Sequence, residues 1–161
     1  MKRLHRYSDG EMIGTALRLL PGNMADRIGH VDFLTRTDPN FVGLHKYTDA
    51  GEGYRYCEVA HIAFPSHQRH RARSERVTTV VLPVDYAFTP KTILHELGHA
   101  LDRRNGFGHR AAPVSSYALT NRGEAFAEAF AAWCLPPSDS FGWAKADLDA
   151  ATIHLFEDLA A

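Results

Sequence analysis

The sequence predicts a single α+β domain. Three observations carry that expectation. Strand-like segments come before residue 85, long helical patterns come after residue 89, and the two do not alternate as they would around a doubly wound parallel sheet. With 161 residues, of which 45% are hydrophobic, the chain can bury one ordinary core without disulfide staples. The expected organisation is one unit over 1–161. A small mixed sheet and a central helix fill 1–106, and a helical part fills 107–161.

The elements follow in order. Glu11 to Leu20 sets Met12, Ile13, Ala16, Leu17 and Leu20 on one helical stripe, stopped by Pro21-Gly22. Val31 to Leu34 and Phe41 to Tyr47 are short strand candidates around the turn signal Asp38-Pro39-Asn40. Tyr54 to Phe64 alternates as a strand. Val77 to Val84, rich in β-branched residues, is the clearest strand of all. Between them, residues 67–76 form a basic loop with Arg69, Arg71, Arg73 and Arg76, whose plainest reading is a solvated loop. Thr89-Pro90 opens a helix that runs to about Arg104 and stops at Gly106. Residues 107–120 read as a loop. A helix from near Asn121 ends before Pro136-Pro137, and a last one spans Trp143 to Leu159, with Leu148, Ala151, Thr152, Leu155 and Leu159 on its apolar face.

A formal net charge of -1 gives no global pull toward nucleic acid or membrane, and neither partner is expected. The start, Met1-Lys2-Arg3, is basic, but His5, Arg6, Asp9 and Glu11 interrupt any apolar stretch. The chain therefore reads as soluble, without a visible signal peptide, either cytoplasmic or exported by a non-classical route. Cys57 and Cys134 are a distant pair, expected as two reduced thiols. A monomer is the expected state.

The segment that carries chemistry is His95-Glu96-Leu97-Gly98-His99. On a helix, residues i and i+4 stand above one another, so both imidazoles can reach one Zn²⁺, with Glu96 near enough to meet a water there. With 10 His and 8 Glu in 161 residues the pattern arises by chance in about 3 of 100 shuffled chains. Its placement in a capped amphipathic helix is the stronger argument. Gly98 costs that helix about 1 kcal/mol against Ala, so a close approach of another element is wanted to explain it. A catalytic zinc needs a third protein ligand and an open position. Asp102, His109, Glu124 and Glu128 are the candidates. Asp102 shares the helical face of both histidines, and Glu124 and Glu128 share a face of the next helix. The variant that takes a histidine six residues after His99 is excluded, because position 105 is Asn. Asn121 and Glu124 also fit a capping box, and by spacing alone ligand and cap are equally good readings of Glu124.

Residues 117–130, YALTNRGEAFAEAF, closely resemble the second metal-site segment of the anthrax lethal factor-like zinc metallopeptidases. The Pro-Pro endopeptidases are similar, more distantly. In these families a Tyr, then Thr-Asn, then a Glu opening an ExFAExF helix follow the HExxH helix. The likeness covers roughly residues 89–104 and 114–134. It implies a zincin-like fold, zinc bound by His95, His99 and Glu124, Glu96 as general base, Tyr117 as oxyanion stabiliser, and Glu128 as the carboxylate holding a ligand histidine. The expected activity is hydrolysis of peptide bonds in a protein or peptide substrate. That substrate is expected to lie along an edge strand, Val77 to Val84 or Tyr54 to Phe64. The competing readings are a non-catalytic zinc-binding interaction or regulatory domain, against which an intact Glu96 argues, and a zinc hydrolase of non-peptide amides.

Overall fold

The computed structural model describes residues 9–34, 61–63, 78–81, 89–136 and 146–161. The expected strand Phe41 to Tyr47, most of Tyr54 to Phe64, the basic loop 67–76 and Cys57 lie outside the described residues.

Helix α1 (Asp9–Arg18) starts and ends two residues earlier than its apolar stripe suggests. Ala16 is fully buried, with Met12, Ile13, Leu19 and Leu20 against the same core, whereas Leu17, counted on the stripe, is 44% exposed. A short helix α2 (Met24–Ile28) follows Pro21-Gly22, where the sequence suggested only a stop. Its i, i+4 pair Met24 and Ile28 is buried, which is reason enough for one helical turn to form there.

Strands β1 (Val31–Leu34), β2 (His61–Ala63) and β3 (Thr78–Val81) form a mixed sheet in the order β1-β3-β2. β3 runs parallel to β1 and antiparallel to β2. The β-branched strand is therefore central, with Val80 fully buried, and it offers no edge for a substrate. Of the two edges proposed from sequence, the described residues leave only β2. Both β2 and β3 lie against the next helix.

That helix, α3 (Pro90–Arg104), is the centre of the molecule. The Thr89 N–H donates to Thr92 Oγ1 at 3.4 Å, and Pro90 occupies the first turn, where its missing N–H costs nothing. Ile93, Leu94, Leu97, Ala100 and Leu101 are buried. The helix ends as the N–H of Phe107 reaches the Asp102 carbonyl at 2.9 Å, with Gly106 at φ 70°. A 3-10 turn over Tyr117–Leu119 breaks what the sequence suggested was loop. Helix α4 (Arg122–Cys134) is capped by Asn121 Oδ1, which accepts the Glu124 N–H at 2.9 Å.

Helix α5 (Ala150–Ala160) begins well after the expected start at Trp143. Residues 146–149 are not helical, because Asp149 caps the helix by accepting the Thr152 N–H at 2.8 Å. Leu148, Leu155 and Leu159 of the expected face pack against the core, with Ala151 the exception and Phe156 an addition. Thr152 and Phe156 are buried and Ala151 is exposed. The Phe156 ring sits 5.3 Å from Phe126, 5.6 Å from Phe130 and 5.5 Å from Trp133, an aromatic cluster that closes the core under α4. No helix among the described residues is long and apolar enough to cross a membrane.

α3 and α4 cross closely at Gly98. A Cβ there would stand 2.9 Å from Ala127 Cα and 3.2 Å from Phe130 Cβ. Gly98→Ala sets two effects against each other. Helix propensity gains about 1 kcal/mol, while overpacking against a backbone atom that no rotamer change can move costs about 1–3 kcal/mol. The clash is the larger, and a net loss of up to about 2 kcal/mol is expected. Thermal melting reads this as a Tm lower by up to about 8 °C; a Tm above that of the wild type would mean that the helices have room to spare.

Candidate metal centre

Three side chains from two helices meet at one point. α3 presents His95 and His99 from successive turns, with their Nε2 atoms 3.1 Å apart and their rings edge-on at 82°. α4 presents Glu124, whose Oε2 lies 3.0 Å from His95 Nε2 and 3.3 Å from His99 Nε2. These are the donor atoms that could hold a metal ion together. Oε2 is buried and accepts no hydrogen bond of good geometry among the described residues. With both imidazoles neutral, the two nitrogens and the carboxylate oxygen that face one another lack a positive partner, which a cation supplies. The spacing agrees. Ligands about 2.0–2.2 Å from a tetrahedral zinc stand about 3.3–3.5 Å apart, close to the three separations found here.

Each donor is set by a second contact. His95 Nδ1 pairs with Glu128 Oε1 at 2.8 Å, which assigns the N–H to Nδ1 and leaves Nε2 as the lone-pair nitrogen facing the other donors. Glu128 lies one helical turn after Glu124, and its other oxygen accepts from Ser115 Oγ at 3.1 Å. The alternatives at Glu124 prove to involve different atoms. Its backbone N–H serves the Asn121 cap and its carboxylate faces the histidines.

Glu96 is 5% exposed. Burial pushes its carboxyl up to about 7, with His95 pulling it down and Glu124 pushing it further up. Burial opposes charging of His95, but the hydrogen bond to Glu128 and the charges of Glu96, Glu128 and Glu124 together raise it. His99 is lowered, first by burial and then by the neighbouring His95. The His95 hydrogen bond holds Glu128 below the usual carboxylate range, against its burial. Glu96 and His95 thus hold a proton more tightly than usual, and His99 and Glu128 less tightly.

No family model matches this chain, and no curated protein or solved structure matches it either. What the site can do follows from its own donors.

Tyr117, on the 3-10 turn, stands at the rim. Its ring centroid is 5.9 Å from that of His95 and the residue is 54% exposed. Asp102 and His109, open candidates for the metal by sequence, are not part of the three-donor group. Asp102 is 1% exposed and takes both ends of the Arg122 guanidinium, at 3.0 and 2.6 Å. The His109 ring stacks on Phe126 at 6.5 Å, and its carbonyl accepts from Arg122 Nη1 at 2.6 Å. Sequence reasoning passed over Ser115 and Arg122. Ser115 carries no periodic signal, and Arg122, adjacent to the cap, reads only as a helix start.

Proposed function

We propose that this chain is a zinc-dependent endopeptidase of the anthrax lethal factor-like kind, with a zincin-like arrangement of sheet and helices. The observation that carries the reading is the convergence of His95 Nε2, His99 Nε2 and Glu124 Oε2 beside a buried Glu96. A zinc ion in that site supplies Lewis acidity and acidifies water to a pKa of about 7.

The protein groups then have distinct tasks. Glu96 accepts a proton from the attacking water and passes it to the leaving amine. A nearby cation favours the ionised form of Glu96, the form that can accept the proton. Glu128 keeps the His95 ring in one tautomer and orientation. The Tyr117 hydroxyl, on the exposed side of the site, meets the oxyanion that develops on the peptide carbonyl. The substrate backbone adds to the edge of β2, so main-chain hydrogen bonds align the scissile bond over α3.

The test is cleavage of a diverse peptide library by the purified zinc-loaded protein, with Glu96→Ala as control. Cuts that disappear in the variant support the reading and give the flanking preference at once. Zinc binding without cuts in either protein would replace it with a non-catalytic zinc module. Cuts that persist in Glu96→Ala would overturn the assignment of the base.

A further inference from the structure

We propose that Ser115 is a positioning residue that couples the turn carrying Tyr117 to the metal ligand His95. The inference rests on the zinc reading above and adds a residue to it. The Ser115 hydroxyl makes two hydrogen bonds whose directions are fixed by chemistry. The Ala118 N–H can only donate, so Ser115 Oγ accepts there, at 3.0 Å. The single hydroxyl hydrogen is then committed to Glu128 Oε2, at 3.1 Å. The opposite oxygen of the same carboxylate pairs with His95 Nδ1 at 2.8 Å.

One hydroxyl therefore joins two parts of the site. On one side is the 3-10 turn Tyr117–Leu119, which packs against α4 with Ala118 as its buried residue. On the other side is the carboxylate that sets the tautomer and angle of His95. Lys91 Nζ, at 3.7 Å from Oε2, is too far to replace the hydroxyl as a hydrogen-bond donor. Removing the Ser115 hydroxyl leaves Glu128 Oε2 with only the looser Lys91 ion pair to fix its angle against His95, and it takes the acceptor from the Ala118 N–H in the Tyr117 turn.

Ser115→Ala and Ser115→Thr separate this role from simple turn formation. Zinc affinity is read by chelator competition far below the melting temperature, alongside kcat and KM for a peptide cut by the wild type. Ser115→Ala is expected to weaken zinc binding about 10-fold, the low end for residues that support a metal ligand. It is expected to lower kcat more than it raises KM, and Ser115→Thr is expected to restore both. A lower Tm in Ser115→Ala with wild-type zinc affinity and kcat would reduce Ser115 to a turn former and overturn the proposal. A wild-type protein that binds no zinc would instead overturn the reading on which it rests.

Discussion

Glutamine in place of Glu96 is expected to lower kcat/KM for peptide cleavage by about 10²–10⁴-fold and to leave zinc affinity within a few-fold of the wild type. The substitution keeps shape and volume at a position 5% exposed, so packing is little disturbed. What it removes is the capacity to take a proton. Steady-state cleavage together with chelator competition checks both halves. Activity within 10-fold of the wild type would show that the proton goes elsewhere.

The same substitution has an opposite effect on stability in the metal-free protein. Burial, opposed by His95 and reinforced by Glu124, puts the folded-state carboxyl at about 7 against an ordinary value of 4.5. Below pH 4.5 both folded and unfolded chains hold the proton and the group is neutral to stability. As the pH rises from 4.5 through 7 the unfolded chain ionises first, and stability is lost. Glutamine does not ionise. In a chelating buffer the variant should therefore gain up to about 3 kcal/mol over the wild type at pH 8, and the gain should shrink toward zero as the pH approaches 4.5. Denaturant melts at pH 5 and pH 8 measure the difference directly. A buried carboxyl that costs the fold stability is the kind of group the proposed general base would be.

How much of this was legible in the sequence depends on whether a feature is local. The spacing of His95 and His99 is a property of one helix, and so is the need to explain Gly98. The backbone of α4 at Gly98, within 2.9 Å of a would-be Cβ, supplies the reason. Glu124 was undecided by spacing, because spacing cannot distinguish the backbone donor that caps α4 from the carboxylate that turns to the histidines. Asp102 shows the opposite failure. It has the right helical face for a ligand, and only the crossing of α3 over α4 reveals that Arg122 takes it instead. Likewise the central place of β3 depends on pairing with β1 and β2, more than 40 and 10 residues away along the chain, and a single strand's composition does not show its neighbours. The inward face around α5 was read correctly at Leu148, Thr152, Leu155 and Leu159 and missed at Phe156, which only the aromatic cluster under α4 marks as core.

Arg122→Met is expected to be the most destabilising change at this crossing. Arg122 Nη1 and Nη2 grip the two oxygens of Asp102, Nη1 also donates to the His109 carbonyl, and the Phe107 ring lies 5.9 Å from the guanidinium. Methionine fills much of the same volume but leaves the Asp102 carboxylate, 1% exposed, without its counter-charge. Breaking such a pair costs about 3–5 kcal/mol when both groups are buried. The Arg122 side chain is 29% exposed, so water recovers part of this, and a loss of about 2–4 kcal/mol is expected, or a Tm lower by about 5–15 °C. The double variant Asp102→Leu with Arg122→Met removes both charges and should regain most of that loss, because an apolar pair carries no desolvation cost. Zinc affinity separates stability from geometry. Asp102 lies three residues beyond His99 and Arg122 two before Glu124, so the bidentate pair ties the two ligand-bearing helices together next to the site. If the pair fixes that geometry, the double variant melts near the wild type yet binds zinc more weakly. If the packed helices alone fix it, both properties return together.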